Sequence, residues 1–261
     1  MKVSIITISY MNAIGLEKTI KSIRSQTYPN FEHIVIDGGS NDGSKKIIEK
    51  YSDHITYWVS EPDKGIYNAM NKGVDQATGD YCLFVNSGDC LYSPTALEEV
   101  MGEKPHADIA IANIITDERV DRIYCPPEEV SCSFLIHSSL PHPSALIKTE
   151  LMKRLKYDES YKIVSDWAFM FRALMYEGCT YQHINKLLTV FYTGGVSSTM
   201  KEKENAERRD FFYNTLPKRV ADELYNGYTD CLLSVQSMKQ IDQSFVRFMI
   251  RTIQWFRRKI K

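Results

Sequence analysis

The chain has 261 residues, 43% of them hydrophobic and 11% aromatic, and a formal net charge of −1. That length suits one large domain or two small ones, and the near-neutral balance argues against nucleic acid as a partner. No window approaches the ~20 apolar residues of a membrane span, Met1 to Ile6 lacks the apolar run of a signal peptide, and the six cysteines form no CxxC pair, so a cytoplasmic protein with reduced thiols is expected.

Val3 to Ser9 is a β-branched run that empties into Tyr10-Met11-Asn12, a buried first strand followed by a loop. Leu16, Ile20 and Ile23 fall at helical spacing and predict a helix over 16–25. His33 to Ile36 predicts a second strand, ending in the polar loop Asp37-Gly38-Gly39-Ser40-Asn41-Asp42-Gly43-Ser44. A helix over 45–51 and a strand over 55–59 follow, then a break at Glu61-Pro62-Asp63-Lys64-Gly65. The next helix, 66–77, carries Ile66, Ala69, Met70, Gly73, Val74 and Ala77 on one side. Tyr81 to Val85 is an unbroken apolar run, as in a strand covered on both faces, and it stops on Asn86-Ser87-Gly88-Asp89. Alternating strands and helices at this spacing predict a parallel sheet with right-handed crossovers. Four strands would then empty into polar, often acidic loops on one edge, where open α/β sheets bind ligands.

Beyond this, 109–115 predicts a fifth strand, and 117–143 reads as irregular, punctuated by Pro126, Pro127, Pro141 and Pro143. Residues 144–148 return to the sheet, 163–176 form a helix with Ser165-Asp166 in its first turn, and 181–184 with 187–192 read as a strand pair. Residues 193–198 read as a flexible loop, and from Met200 the chain turns charged and helical. Within 244–261, Phe245, Phe248, Met249, Thr252, Ile253, Phe256 and Ile260 form one apolar face, and six Arg and Lys residues have no acid among them. Such a helix either lies in an anionic membrane surface or packs on the domain with its basic face solvated.

Several residues carry candidate chemistry. Asp89, just past a strand end, is an oxygen ligand suited to Mg2+ or Mn2+, or else a cap for the next helix. Asp37 could accept hydrogen bonds from a base or ribose, or simply form an Asx-turn. Lys64 precedes a helix N-terminus, a natural anion site, or is a solvated charge. Asn68 and Asn71 share a helix face that must point at something polar. Asp166 is an N-cap or a general base, and His142, held between two prolines, faces the same cleft or is structural. No GxGxxG follows the first strand, which excludes a dinucleotide-binding oxidoreductase.

Four ordered motifs combine these residues: Ser4 through Asn12, Val35 through Ser44, Lys64 through Gly73, and Gly79 through Asp89. Together they resemble the family 2 glycosyltransferases of the GT-A fold, in particular the branch that builds bacterial surface polysaccharides. The resemblance covers about residues 1–200. It implies an α/β, GT-A-type, mostly parallel sheet flanked by helices, with a Rossmann-like nucleotide half. Residues 1–115 would be the donor half, 116–200 the acceptor half, and 201–261 a helical C-terminal extension. It implies inverting, hexosyltransferase-type transfer from a nucleotide-diphospho-sugar, UDP-linked above all, to a saccharide or lipid-linked acceptor, with a divalent cation (Mn2+ or Mg2+).

Carried onto this chain, Ser9 and Tyr10 line the base, Asp37 reads it, and Lys64, Asn68, Asn71 and Ser87 contact the donor. Asp89 bridges metal and diphosphate, Asp166 is the base, and Trp167 and His142 face the acceptor. Asn86 and Gly88 stand where the family often has aspartate, so the diphosphate is expected to complete the metal site. Met70 stands where an arginine is common, so Lys64 or Lys72 is expected to supply the phosphate-pairing charge. Localisation on the inner face of the cytoplasmic membrane and a homodimer are compatible with this reading; a non-catalytic scaffold subunit is the alternative to it.

Overall fold

Val3–Ser9 forms β1, flanked in register by β2 (Phe31–Asp37) and β4 (Tyr81–Phe84), both parallel to it, with β3 (Tyr57–Ser60) parallel to β2. Every residue of β4 is buried and β1 is buried almost throughout, as their uniformly β-favouring composition requires. The crossovers are α1 (Ala13–Arg24), α2 (Ser44–Lys50) and α3 (Ile66–Gln76). Asn12 caps α1 by accepting the Gly15 amide, and Lys21 and Arg24 complement the helix dipole in its last turn. Leu16 and Ile20 of α1 and Ile48 of α2 pack on Val35 of β2 in one buried cluster. Such a side chain contributes ~1.5–3 kcal/mol when fully buried.

The structure, a computed structural model, describes residues 1–117, 119–195 and 200–224. Two compact units divide the chain, Met1–Arg208 and Arg209–Lys261. The predicted amphipathic tail, 244–261, lies outside the described residues. Among these, no helix is long and apolar enough to cross a membrane.

The first unit holds a nine-stranded sheet in the order β3-β2-β1-β4-β8-β6-β9-β5, with β7 paired to β6. The added strands are β5 (Cys90–Leu91), β6 (Ile109–Thr116), β7 (Arg119–Tyr124), β8 (Ala145–Lys148) and β9 (Tyr181–Phe191). β8 runs antiparallel between β4 and β6, and β6 and β9 are parallel. The remaining helices are α4 (Ala96–Gly102), α5 (Cys132–His137), α6 (Thr149–Leu155), α7 (Ser165–Phe171) and α8 (Lys201–Thr215).

Three expectations need correction. The segment 117–143 is not irregular throughout, since it contains β7 and α5. Residues 181–192 are not a strand pair: β9 is one strand, and the polar Asn185-Lys186 interruption is absorbed by register shifts opposite Ala112 and Asn113. The helix expected over 163–176 begins at Ser165 and passes into a π-helical turn at Arg172–Tyr176. Of the second unit, Tyr213 donates to Asp222 Oδ1 at 2.5 Å, joining the end of α8 to the helical stretch 218–224.

Candidate active site

The four parallel strands end side by side, and the loops after them gather the candidate residues. Asp37 closes β2 opposite Ser9 of β1 and is fully buried. Its carboxylate accepts the Ser40 amide at 3.0 Å and the hydroxyls of Ser40 and Ser60 at 2.6 Å each. The Ser9 hydroxyl is buried with no partner. Tyr10 stands 67% exposed at the edge, and Gly38 sits against it: a Cβ there would lie 3.1 Å from the Tyr10 ring and 2.5 Å from Asp63 Oδ2. An exposed aromatic beside the strand end that holds a buried carboxylate is a surface that an aromatic base can cover.

On the other side of β1, the Ser87 amide bonds to the Ile8 carbonyl at 3.0 Å and so extends β4 past its last paired residue. Asn12 of α1 donates to both the carbonyl and the hydroxyl of Ser87. Asp89 does not cap the following helix, whose N-cap is Thr95. It is only 4% exposed, and its Oδ1 accepts the Tyr192 amide at the end of β9 at 2.8 Å. Burial pushes its carboxyl up to about 7, against the downward pull of the Tyr192 and Asn86 amides and Lys18. In the same turn Asn86 Oδ1 is buried without a partner, a second hard oxygen donor.

The third group stands at the start of α3. Tyr67, in its first turn, shares its hydroxyl hydrogen between the Ile163 carbonyl at 2.5 Å and Asp166 Oδ1 at 3.0 Å. Because α3 starts at the carboxyl edge of the parallel strands, this contact brings Asp166 to the edge that carries Asp37 and Asp89. Asp166 is the second residue of α7, and Val164 occupies the N-cap position without a side-chain bond, so capping does not account for Asp166. The amides of Lys162, Ile163 and Val164 are instead met by the Glu207 carboxylate of α8, at 2.9, 2.8 and 3.2 Å.

The other predicted residues take different places. Asn68 and Asn71 share a polar partner, as their spacing suggests, but it is protein: both donate to Glu159, and Asn71 also grips the amide and carbonyl of Tyr157. The Asn68 side chain also accepts the Lys64 amide, leaving the Lys64 ammonium exposed. Lys72 pairs with Glu61 at 2.6 Å. His142 is 7% exposed, with Nε2 2.6 Å from the Tyr157 hydroxyl and its ring 4.9 Å from that of Phe84. Burial lowers its pKa, and Asp166 partly opposes that. Trp167 is buried too, donating to the Leu135 carbonyl beneath the Arg208 guanidinium. Both rings therefore support the site from inside the protein and do not line an open cleft.

The sequence reading missed Tyr67, Glu207 and one face of α1. Thr19 and Ser22 of α1, with Gln26 just beyond its C-terminus, bond along the chain from Asn86 to Leu97. Their spacing next to the buried Leu16, Ile20 and Ile23 was the available signal.

Comparison with known proteins matches the chain to a family. The model of glycosyl transferase family 2 matches residues 4–177. An uncharacterized glycosyltransferase of Mycobacterium tuberculosis is 34% identical over 203 residues, 75% of this chain and 77% of the relative. A PGL/p-HBAD biosynthesis glycosyltransferase of Mycobacterium bovis is 27% identical over 213 residues, covering 75% and 79%. Among solved structures, S. aureus TarS superposes with a TM-score of 0.65 at 22% identity, covering 88% of this chain; the chain spans 43% of the length of TarS. The mannosyltransferase PcManGT of Pyrobaculum calidifontis, solved with GDP-Man and Mn2+, superposes with a TM-score of 0.64 at 16% identity, covering 87% of this chain and 69% of its own. The sheet and its flanking helices are those of the GT-A fold. The chain belongs to glycosyltransferase family 2.

Proposed function

We propose that the protein is an inverting glycosyltransferase that moves a sugar from a nucleotide-diphospho-sugar, UDP-linked above all, to a hydroxyl of a saccharide or lipid-linked saccharide acceptor. The observation that carries this reading is the gathering of three carboxylates at one sheet edge: Asp37 and Asp89 at strand ends, and Asp166 bound to Tyr67. Residues 1–115 would hold the donor and 116–200 the acceptor. TarS 1–349 has been solved with UDP-GlcNAc, and PcManGT with GDP-Man, which supports a nucleotide-sugar donor here.

Donor binding would use Tyr10 as a stacking surface, Asp37 and Ser9 toward the base and ribose, and Ser87 and Lys64 toward the diphosphate. Asn68 and Asn71 would act there indirectly, by fixing Glu159 and the backbone of Tyr157. A cation fits as a site that the donor completes. Among the described residues no three His, Cys, Asp or Glu side chains gather as a cage. Asp89 and the partnerless Asn86 Oδ1 offer protein oxygens, and a metal of this class takes most of its remaining ligands from phosphate and water. When bound, Mn2+ or Mg2+ neutralises charge on the diphosphate.

In the transfer, Asp166 accepts the proton of the acceptor hydroxyl while that oxygen bonds to the anomeric carbon. The bond from that carbon to the diphosphate oxygen breaks on the opposite face, and the electron pair leaves with the nucleoside diphosphate. Tyr67, buried and with its pKa pushed well up by burial and by Asp166, stays neutral and holds Asp166 in place. His142 and Trp167 keep the acceptor-side wall rigid from behind.

Calorimetric titration of UDP and of GDP, each with and without Mn2+, tests the donor half. Metal-dependent binding of one nucleotide is expected, and the absence of both from well-folded protein would sink the reading. Asp166→Asn should abolish transfer while leaving nucleotide binding intact. Tight nucleotide binding with no transfer by the native protein, across a panel of donors and acceptors, would favour a non-catalytic scaffold.

A further inference from the structure

The acid-bearing turn after β4 is held by a residue with no charge and no exposed surface. Thr19, in the second turn of α1, is fully buried. Its hydroxyl lies 2.7 Å from the Asp89 carbonyl, 3.0 Å from the Gly15 carbonyl, 3.2 Å from the Asn86 carbonyl and 3.0 Å from the Gly88 amide. A hydroxyl has one hydrogen to donate and two lone pairs to accept with. The default for a buried helical threonine is to bond the carbonyl one turn back, here Gly15. The shorter separation favours Asp89, and the Gly88 amide occupies a lone pair. The hydroxyl thus bridges the N–H of Gly88 and the C=O of Asp89.

That bridge spans the two residues whose backbone decides where the Asp89 carboxylate goes. Gly88 has φ +109°, in the left-handed region, where a side chain would be strained and a Cβ would meet the Tyr192 ring at 3.2 Å. With no side chain of its own to fix it, the turn takes its conformation from its partners. Thr19 fastens the backbone from the α1 side, and the Tyr192 amide fastens Asp89 Oδ1 from the β9 side.

We propose that Thr19 is a positioning residue for the cation site: through the Gly88 amide and the Asp89 carbonyl it holds Asp89 in the geometry that takes Mn2+ or Mg2+ together with the donor diphosphate. The inference rests on the donor reading above and adds a residue to it. Outer-shell partners of ligating carboxylates typically change metal affinity by about 10–100-fold.

The test is titration of UDP and GDP with and without Mn2+ into the native protein and into Thr19→Ser, Thr19→Val and Thr19→Ala. Thr19→Ser keeps the hydroxyl and should keep the Mn2+-dependent gain in affinity within about twofold. Thr19→Val, of equal shape, should lose about tenfold or more of that gain, with metal-free nucleotide affinity unchanged. Thr19→Ala, which removes the hydroxyl without adding a methyl in its place, serves if valine prevents folding. Equal weakening with and without Mn2+ would mean that Thr19 merely supports the fold, and an unchanged Thr19→Val would remove its role altogether. A native protein with no Mn2+-dependent binding of either nucleotide would instead overturn the donor reading itself, whatever the variants do.

Discussion

Tyr67 and Asp166, 99 residues apart in sequence, meet at 3.0 Å, and the same Tyr67 hydroxyl reaches the Ile163 carbonyl at 2.5 Å. One hydrogen serves both the loop that leads into α7 and the acid that α7 presents. Tyr67→Phe keeps the ring, which lies 5.5 Å from that of Tyr157, and removes only the hydroxyl. The expected cost is ~1–2 kcal/mol of stability in urea denaturation, because a buried carbonyl loses its donor. Transfer should fall by roughly tenfold or more, because Asp166 loses its anchor. Stability lost with transfer rate unchanged would show that the contact serves the fold alone.

Asp89 combines a functional position with a cost to the fold. Burial raises its folded pKa to about 7, from 3.8, so the folded state disfavours the carboxylate. A raised carboxyl pKa makes this group's contribution increasingly unfavourable as pH climbs from about 4 to about 7, and constant above that. The full penalty is on the order of 4 kcal/mol at ~1.4 kcal/mol per pH unit. Asp89→Asn should therefore be more stable than the native protein at pH 8 and show no such advantage at pH 4. It should also lose any stabilisation by Mn2+ with UDP. Urea denaturation at the two pH values reads the first effect, and thermal shift with added nucleotide and metal reads the second.

The strand-end acids were legible in the sequence because apolar runs such as Ile34–Ile36 and Tyr81–Phe84 are unambiguous and stop on polar residues. Their partners were not. Thr19 bonds a carbonyl 70 residues away and Glu207 an amide 44 residues away, and neither residue type advertises such a role. Asn68 and Asn71 were legible as a polar pair, whereas Glu159 as their partner was not, since nothing local sets where the 157–159 loop returns. β7 was hidden by the prolines that follow it, and the unity of β9 by Asn185-Lys186, which the sheet tolerates through a shifted register.

Gly73 decides how closely α3, and with it Tyr67, approaches the sheet. A Cβ at Gly73 would fall 2.5 Å from Ile6 Cγ2 and 3.5 Å from Ile36. Alanine gains up to ~1 kcal/mol over glycine in a helix interior, but forcing a methyl into a filled core costs ~1–3 kcal/mol. The clash is with a fully buried β-branched side chain in the centre of the sheet, so the second effect should win. Gly73→Ala is expected to be less stable by ~1–2 kcal/mol in urea denaturation, and a more stable variant would mean that α3 can lift from β1 at no cost.

His33 sets a separate acid limit. It is buried on β2 beside Thr7 of β1, with Nε2 3.0 Å from Thr7 Oγ1. Thr7 already donates to the Val85 carbonyl at 2.8 Å, so its oxygen accepts, and His33 must be the neutral tautomer with hydrogen on Nε2. Burial lowers its folded pKa to about 3 from 6.5. The unfolded chain takes up a proton below pH 6.5 and the folded one does not, so this group's contribution is full above that value and is lost as pH falls toward 3, by ~1.4 kcal/mol per pH unit. Glu32 does not enter this window: burial would raise it, but bonds from Lys2, Ser4 and Thr78 hold it at about 2, so its contribution is lost only below 4.5. His33→Gln keeps an amide donor for Thr7 and removes the titration. Comparing denaturation at pH 7 and pH 5, the variant should lose about 2 kcal/mol less than the native protein on acidification. Asp89, whose penalty is relieved over the same interval, and His142, lowered by burial, titrate in both proteins and drop out of the comparison. Equal acid losses in the two proteins would show that His33 is not the residue that resists protonation.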